Sequence, residues 1–234
     1  MKKALVYFFA TALLVTSCGE DYNPYGINEV NKISDQNSND DEAIADFLEN
    51  NYMDNQGKLQ TYTENTSSEF KKLSDMSPIK LPSGVVVIVR PGAQPEPGIA
   101  VGETDVLSII QRSYSYLSTD DKSSVLTGAY PFVNTVDGSG VPDKDPLYYY
   151  ADPKTLASSE KTREYFEIEG LREGLKHFKS FQKEDHELYN LQGVIIVPSR
   201  AAFSRDEHYR YNGVSWRNRT FVFNFQLYNS TPRP

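Results

Sequence analysis

The clearest periodicity lies near the end of the chain. Residues 219–228, RTFVFNFQLY, alternate strictly, with Phe221, Phe223, Phe225 and Leu227 on one face and Val222, Asn224, Gln226 and Tyr228 on the other. A period of two is that of a β-strand. Three further apolar runs read as strands: GVVVIVRPG from Gly84, closed by a Pro-Gly turn signal, DVLSIIQRSYSYL from Asp105, and LYNLQGVIIVPS, ended by Pro198. Helical spacing appears twice. Ile44, Phe47, Leu48 and Tyr52 recur at three and four, with Asn39 or Asp40 placed to cap the start. Leu171, Leu175 and Phe178 form the apolar stripe of a short helix over 171–178. An apolar strand face needs a cover, so this helix is predicted to pack on the phenylalanine face. Residues 54–80 give no clear period, and residues 92–104 form a Pro/Gly-rich loop. Residues 118–160 mix Ser, Asp, Gly, Pro and aromatics without a period and are expected to leave the sheet as a long insertion. The run Tyr148-Tyr149-Tyr150, with Pro131-Phe132, either packs that insertion onto its domain or offers a binding surface.

The first residues change the picture. Lys2 and Lys3 precede an almost wholly apolar run over 4–16, ALVYFFATALLVT. That is too short to span a bilayer, which takes ~20 apolar residues, and has the length of a signal-peptide core. It ends in Val15-Thr16-Ser17-Cys18, which resembles a bacterial lipobox. The resemblance implies a cleaved signal peptide over 1–17, lipid on Cys18, and a protein of the cell envelope, lipid-anchored at the outer membrane and facing the periplasm or the surface. Two or more acyl chains suffice for stable anchoring. The plainer alternative is an ordinary cleaved signal with an incidental cysteine. Residues 18–40 are polar and rich in Asn, Asp and Ser, and are expected to form a flexible tether. Glu20 and Asp21 there resemble a surface-export signal of Bacteroidetes, or are simply a solvated stretch. A helical extension over 41–80 and a domain over 81–234 complete the expected organisation.

Composition narrows the function. A net charge of −8 argues against nucleic acid and against an anionic membrane surface as partners. With one cysteine there is no intrachain disulfide, so a core must hold the domain, which is expected to be a monomer. Sixteen tyrosines against one tryptophan suit a β-sheet protein, and equally a carbohydrate-binding surface. His177, His186 and His208 lack metal-ligand spacing, and neither a phosphate-binding glycine loop nor a Gly-x-Ser-x-Gly motif occurs. No metal or cofactor is expected. Glu167 and Glu169 stand beside a helix start, where carboxylates are electrostatically favoured.

The order of motifs in the second half carries a resemblance. Ile168-Glu169-Gly170-Leu171-Arg172-Glu173-Gly174-Leu175 is followed by Val197-Pro198-Ser199-Arg200-Ala201-Ala202-Phe203 and then by Phe221-Val222-Phe223-Asn224-Phe225-Gln226-Leu227. Ser83-Gly84-Val85 and the approach from Gly98 to a strand ending in Tyr116-Leu117 fit the same template. This series resembles the FKBP family of peptidyl-prolyl cis-trans isomerases, and the lipidated FKBP-like proteins of Bacteroidetes, over residues 81–228 with a gap at 118–160. The resemblance implies an α+β fold: an antiparallel curved β-sheet wrapped around one short helix, with an N-terminal helix and the long loop insertion. It implies proline-containing polypeptides of the cell envelope as partners, met as an isomerase or as a proline-peptide-binding chaperone. The barrier to prolyl rotation, ~20 kcal/mol, comes from amide resonance. An apolar cleft that binds the twisted amide best lowers it without nucleophile or metal.

By the same resemblance, Ile168 would donate its backbone N–H to a substrate carbonyl, Leu171 would form the pocket floor and Phe223 a wall. Phe203 stands where the family usually has a tyrosine, Ser204 where it has glycine, and Glu167 where it has valine. The family's Phe-Asp pair has no clear counterpart. These departures imply a weakened or lost isomerase. The other reading is a non-catalytic adhesion or glycan-binding lipoprotein that reuses the fold. An open cleft bounded by Ile168, Leu171, Phe203 and Phe223 separates the first reading from the second, in which residues of 118–160 plug it.

Overall fold

The computed structural model describes residues 32–118 and 126–234, so the signal segment, Cys18 and most of the tether lie outside the described residues. Helix α1 (Ile33–Asn50) runs into a hairpin of β1 (Asn51–Met53) and β2 (Leu59–Thr61). Strands β3 (Ile79–Lys80), β4 (Val86–Val89), β5 (Ile99–Ala100), β6 (Val106–Ser118), β7 (Leu126–Asn134) and β8 (Asp143–Lys144) follow. Then come α2 (Pro153–Ser159), α3 (Glu169–Leu175), β9 (Lys179–Ser180), β10 (Gly193–Val197) and β11 (Arg219–Thr231). The result is a mixed α/β fold whose main sheet has seven strands in the order β3-β4-β10-β11-β6-β7, with β8 also on β6. Every pairing is antiparallel. The long pair β6–β11 is its spine, matched from Arg219↔Leu117 to Thr231↔Val106 with one shift after Leu227. Among the described residues no helix is long and apolar enough to cross a membrane.

Strand β11 is buried on both faces almost throughout. Phe221, Phe223, Phe225 and Leu227 enter a cluster with Leu171, Leu175 and Phe178, so the short helix does cover the phenylalanine face. The sequence Gly170-Leu171-x-x-Gly174-Leu175 explains how closely. A Cβ on Gly170 would stand 2.5 Å from the Val197 side chain, and one on Gly174 2.7 Å from that of Ile195, so α3 rests on β10 through its two bare positions. The helix itself ends at Leu175, earlier than the apolar stripe suggests. Phe178 follows after a turn and packs edge-on against Phe225 at 4.8 Å.

The opposite face is covered by α1 and the small hairpin. Ile44 and Leu48 meet Val86, Ile88, Val194, Ile196 and Val222. Helix α1 starts at Ile33, so residues 33–40, expected in the tether, are helical. Asp40, expected near the cap, is instead fully buried inside the helix. Its carboxylate accepts hydrogen bonds from the Ser199 N–H at 2.8 Å, the Gln36 amide at 2.9 Å, and the hydroxyls of Ser118 and Ser199. Partners this far away in sequence are invisible to a local reading of helix signals.

The region 118–160 also departs from expectation. Residues 126–134 are no excursion: as β7 they pair with β6 from Arg112↔Asn134 to Ser118↔Leu126, and Phe132, Tyr148 and Tyr149 are core residues. Irregular pairing, with shifts at Ser113/Tyr114 and Ser115/Leu117, breaks the period-two pattern that would have announced the strand.

Candidate functional site

The structure brings Ile168, Leu171, Phe203 and Phe223 into one cluster, each no more than 2 % exposed. Ile168 is the N-cap of α3, Leu171 sits in its first turn, Phe223 is central in β11, and Phe203 follows the turn at Ser199–Ala201. All four side chains are shut off from solvent. The ring of Phe132 stands 5.1 Å from Phe221 and 6.0 Å from Phe223, both edge-on, and 5.2 Å from Trp216. Tyr148 and Tyr211 close over Phe132 at 5.1 and 5.5 Å. Phe132, Tyr148, Tyr211 and Trp216 were not singled out as site residues. Two signals pointed towards them: Trp216 is the single tryptophan, and Phe132 and Tyr148 belong to the aromatic clusters of 118–160.

The backbone groups at this place are engaged as well. The Ile168 N–H, implied as a donor to substrate, donates to the Tyr148 carbonyl at 2.8 Å. Two residues earlier, the Phe166 carbonyl accepts the Tyr211 hydroxyl at 2.7 Å. Glu167 lies between them and is 4 % exposed. Its carboxylate accepts from the Ala151 N–H at 2.8 Å and from Arg163 and Arg172, each at 2.7 Å. A valine there could hold none of these, so Glu167 fastens the 166–168 segment to its neighbours.

Phe203 stacks on the His208 ring at 4.6 Å and 20°. His208 Nε2 accepts the Trp216 backbone N–H at 2.8 Å, which requires a lone pair on that nitrogen. Nδ1 then carries the hydrogen and donates to the Asp206 carbonyl at 2.8 Å. The ring is thereby a neutral spacer beside Phe203, with both nitrogens committed.

Burial sets the electrostatics. It raises the Tyr148 phenol well above the ordinary value, helped by the Asp143 carboxylate and opposed by the Gln111 amide. Burial raises Tyr211 too, with smaller contributions from Tyr209 and Glu167. Tyr149 is pushed up to about 12 for the same first reason, desolvation. Asp143 is raised by burial, partly offset by the hydrogen bond it accepts from Tyr148. These phenols stay protonated at neutral pH and serve as fixed hydrogen-bond donors.

Open space lies elsewhere. A surface cleft of about 680 Å³ runs along the outer side of α3, lined by Ser83, Gly102, Glu169, Arg172 and Arg200 among others. A second, of about 510 Å³, is bordered by Tyr165, Tyr209, Arg210, Ser215 and Arg217. Neither is lined by Ile168, Leu171, Phe203 or Phe223. Among the described residues no group of His, Cys, Asp or Glu side chains is placed to hold a metal ion.

No protein-family model and no curated protein matches this sequence. Solved structures do show a loose likeness. FkpA from Escherichia coli is 21 % identical with a TM-score of 0.37, over 67 % of this chain and 53 % of that one. A multi-domain immunophilin from Arabidopsis thaliana is 9 % identical with a TM-score of 0.39, over 68 % and 47 %. A peptidyl-prolyl cis-trans isomerase from Pseudomonas syringae pv. tomato is 13 % identical with a TM-score of 0.34, over 66 % and 81 %. The chain thus spans about half the length of the first two. At such low scores the functional reading rests on the site's own contacts.

Proposed function

We propose that this chain is a lipid-anchored protein of the bacterial cell envelope that keeps an FKBP-like framework but binds without isomerising. The observation that carries this is the filled cleft. Ile168, Leu171, Phe203 and Phe223 lie in one buried cluster, and the rings of Phe132, Tyr148 and Trp216 belong to the same cluster with Tyr211 packed against it. A prolyl ring cannot enter, and the Ile168 N–H that would meet a substrate carbonyl already has an acceptor. Catalysis by differential binding needs room for the twisted amide.

The test is a protease-coupled prolyl isomerisation assay on a Phe-Pro peptide. The expected result is no acceleration above the uncatalysed rate. Turnover by the wild type would favour the second reading, an active isomerase, which the order of motifs over 168–227 supports. The anchor belongs to the same proposal and rests on the lipobox at Val15–Cys18. Metabolic labelling with a radioactive fatty acid should mark the wild type and not Cys18→Ala; an unlabelled wild type would remove the anchor from the proposal.

A further inference from the structure

We propose that the loop 204–218 is an acid-sensitive latch, closed while His208 is neutral and released when its ring takes up a proton. The latch needs neither the ligand nor the lipid anchor of the preceding reading. The loop joins the turn at Ser199–Ala201 to β11 and holds no strand. Its outgoing and returning limbs are tied by rungs. The Asn218 N–H donates to the Ser204 carbonyl at 2.6 Å, and the Arg205 guanidinium to the Asn218 side-chain oxygen at 3.2 Å. The Arg217 guanidinium donates to the Asp206 carbonyl at 3.3 Å, and the Trp216 N–H to His208 Nε2 at 2.8 Å. Backbone amides, a carboxamide and guanidinium groups keep their protons across neutral and mildly acidic pH. The imidazole is the rung that titrates there.

Protonation is incompatible with the closed geometry. His208 is 5 % exposed. Its Nδ1–H is spent on the Asp206 carbonyl, and its Nε2 holds the Trp216 N–H through a lone pair. A second ring proton goes on Nε2 and sets two donors face to face at 2.8 Å, away from water. Stacking on Phe203 tolerates the charged ring, so the bond to Trp216 decides. Asp206 and Glu207 share the limb of His208, and Glu207, Arg210, Arg217 and the phenols of Tyr165 and Tyr209 line the cleft that it borders. Carboxylates titrate at ~4, and phenols and guanidinium groups at ~10 or above. His177 and His186 are exposed and lie outside the loop. Between about pH 5 and 7 His208 is therefore the group of the loop that changes charge. Because the closed loop favours the neutral ring, the released loop takes up the proton more readily. Closure is complete above the ordinary imidazole value of ~6.5 and is lost as pH falls below it.

Release has a local consequence. Trp216 is fully buried, edge-on to Phe132 at 5.2 Å and to Tyr130 at 5.7 Å. Tyr211 meets Phe132 at 5.5 Å from the same loop. Strand β11 keeps its ladders to β6 and β10, which begin at Arg219 and Phe221. Acid thereby withdraws two rings from the cluster and bares Phe132 while the sheet stands.

The experiment follows Trp216 emission and far-ultraviolet circular dichroism of the full chain in detergent micelles from about pH 8 to about pH 4.5. Trp216 is the single tryptophan, so the emission reports the loop. The wild type is expected to shift reversibly to longer wavelength with a one-proton midpoint below ~6.5, the open-to-closed ratio changing up to about tenfold per pH unit, while circular dichroism stays constant. His208→Gln keeps a donor and an acceptor on a side chain that does not titrate, and is expected to give flat emission. Flat wild-type emission, or a shift that survives in His208→Gln, overturns the proposal. So does a loss of circular dichroism that accompanies the shift, since that is global unfolding. If the glutamine variant does not fold, ring-nitrogen NMR of the wild type decides. A His208 midpoint below those of the exposed His177 and His186 is expected, and one equal to or above them overturns the latch.

Discussion

The two faces of the main sheet are both buried but are built differently. Under α1 the fully buried contacts are mainly aliphatic, among them Ile44, Leu48, Val86, Ile88, Val194, Ile196 and Val222, with the Phe47–Tyr116 ring pair packed beside them. Such a face is glued by area, and any well-shaped apolar side chain serves. Under α3 and the 209–216 segment many of the contacts are aromatic, and three of the rings that meet Phe132 carry polar ends. Each polar end has a partner: Tyr148 with Gln111 and Asp143, Tyr211 with the Phe166 carbonyl, and the Trp216 indole with the Tyr211 carbonyl. Mostly edge-on ring pairs and paired donors specify one arrangement where aliphatic packing would tolerate several. The α1 face fastens an element to the domain; on the α3 face rings and paired polar groups hold one another in place.

The largest effect expected from breaking this contrast is on the aromatic side. Phe223→Ala removes a fully buried ring that touches Phe132 and Phe221, and should cost ~3–5 kcal/mol in chemical denaturation. A loss below ~1 kcal/mol would mean the cluster repacks freely and is not specified as argued.

Alkaline pH should come next and act on the same side. A phenol whose value is raised in the folded state binds its proton more tightly there than in the unfolded chain. Its contribution is fully present below the unfolded value near 10 and is lost as pH rises through the folded one. Tyr149 is pushed up to about 12, and Tyr148 and Tyr211 are raised as well, all by burial. On the α1 side Tyr116 is also pushed up to about 12. Stability should fall as the pH rises from about 10 towards 12. Trp216 emission should report the change; an emission spectrum and a melting temperature flat to pH 12 would contradict the burial of these hydroxyls.

Asp40→Asn probes the α1 side. It removes the charge that receives Ser199, Ser118 and Gln36, and should cost about 2 kcal/mol without shifting Trp216 emission. A clear emission shift in Asp40→Asn would show that the two faces are not separable. The smallest effect is predicted for Tyr148→Phe, which keeps the ring and deletes its hydrogen bonds to Gln111 and Asp143. The cost should be about 1 kcal/mol, measured by thermal denaturation. A neutral result would indicate that shape alone holds the aromatic side.

Much of the framework was legible locally. The alternation over 219–228 and the apolar runs at 85–89, 106–117 and 193–197 became β11, β4, β6 and β10, because a buried strand face imposes its period on the sequence. The stripe at Leu171 and Leu175 became α3, and only the structure showed that Gly170 and Gly174 let it lie close on β10. Motif order singled out Ile168, Leu171, Phe203 and Phe223, and all four lie in the buried core.

Other features only the tertiary structure decided. Strand β7 hid because its register against β6 shifts twice, so no uniform period survives in its sequence. Asp40 read as a cap because its acceptors' partners, Ser118 and Ser199, lie 78 and 159 residues away. Whether the cleft is open or filled was decided by Phe132, Tyr148, Tyr211 and Trp216, from three separate segments. A sequence fixes which side chains are apolar through their periodicity, which is local. Whether apolar side chains line a space or fill it depends on contacts between segments far apart in the chain, and no local period encodes those.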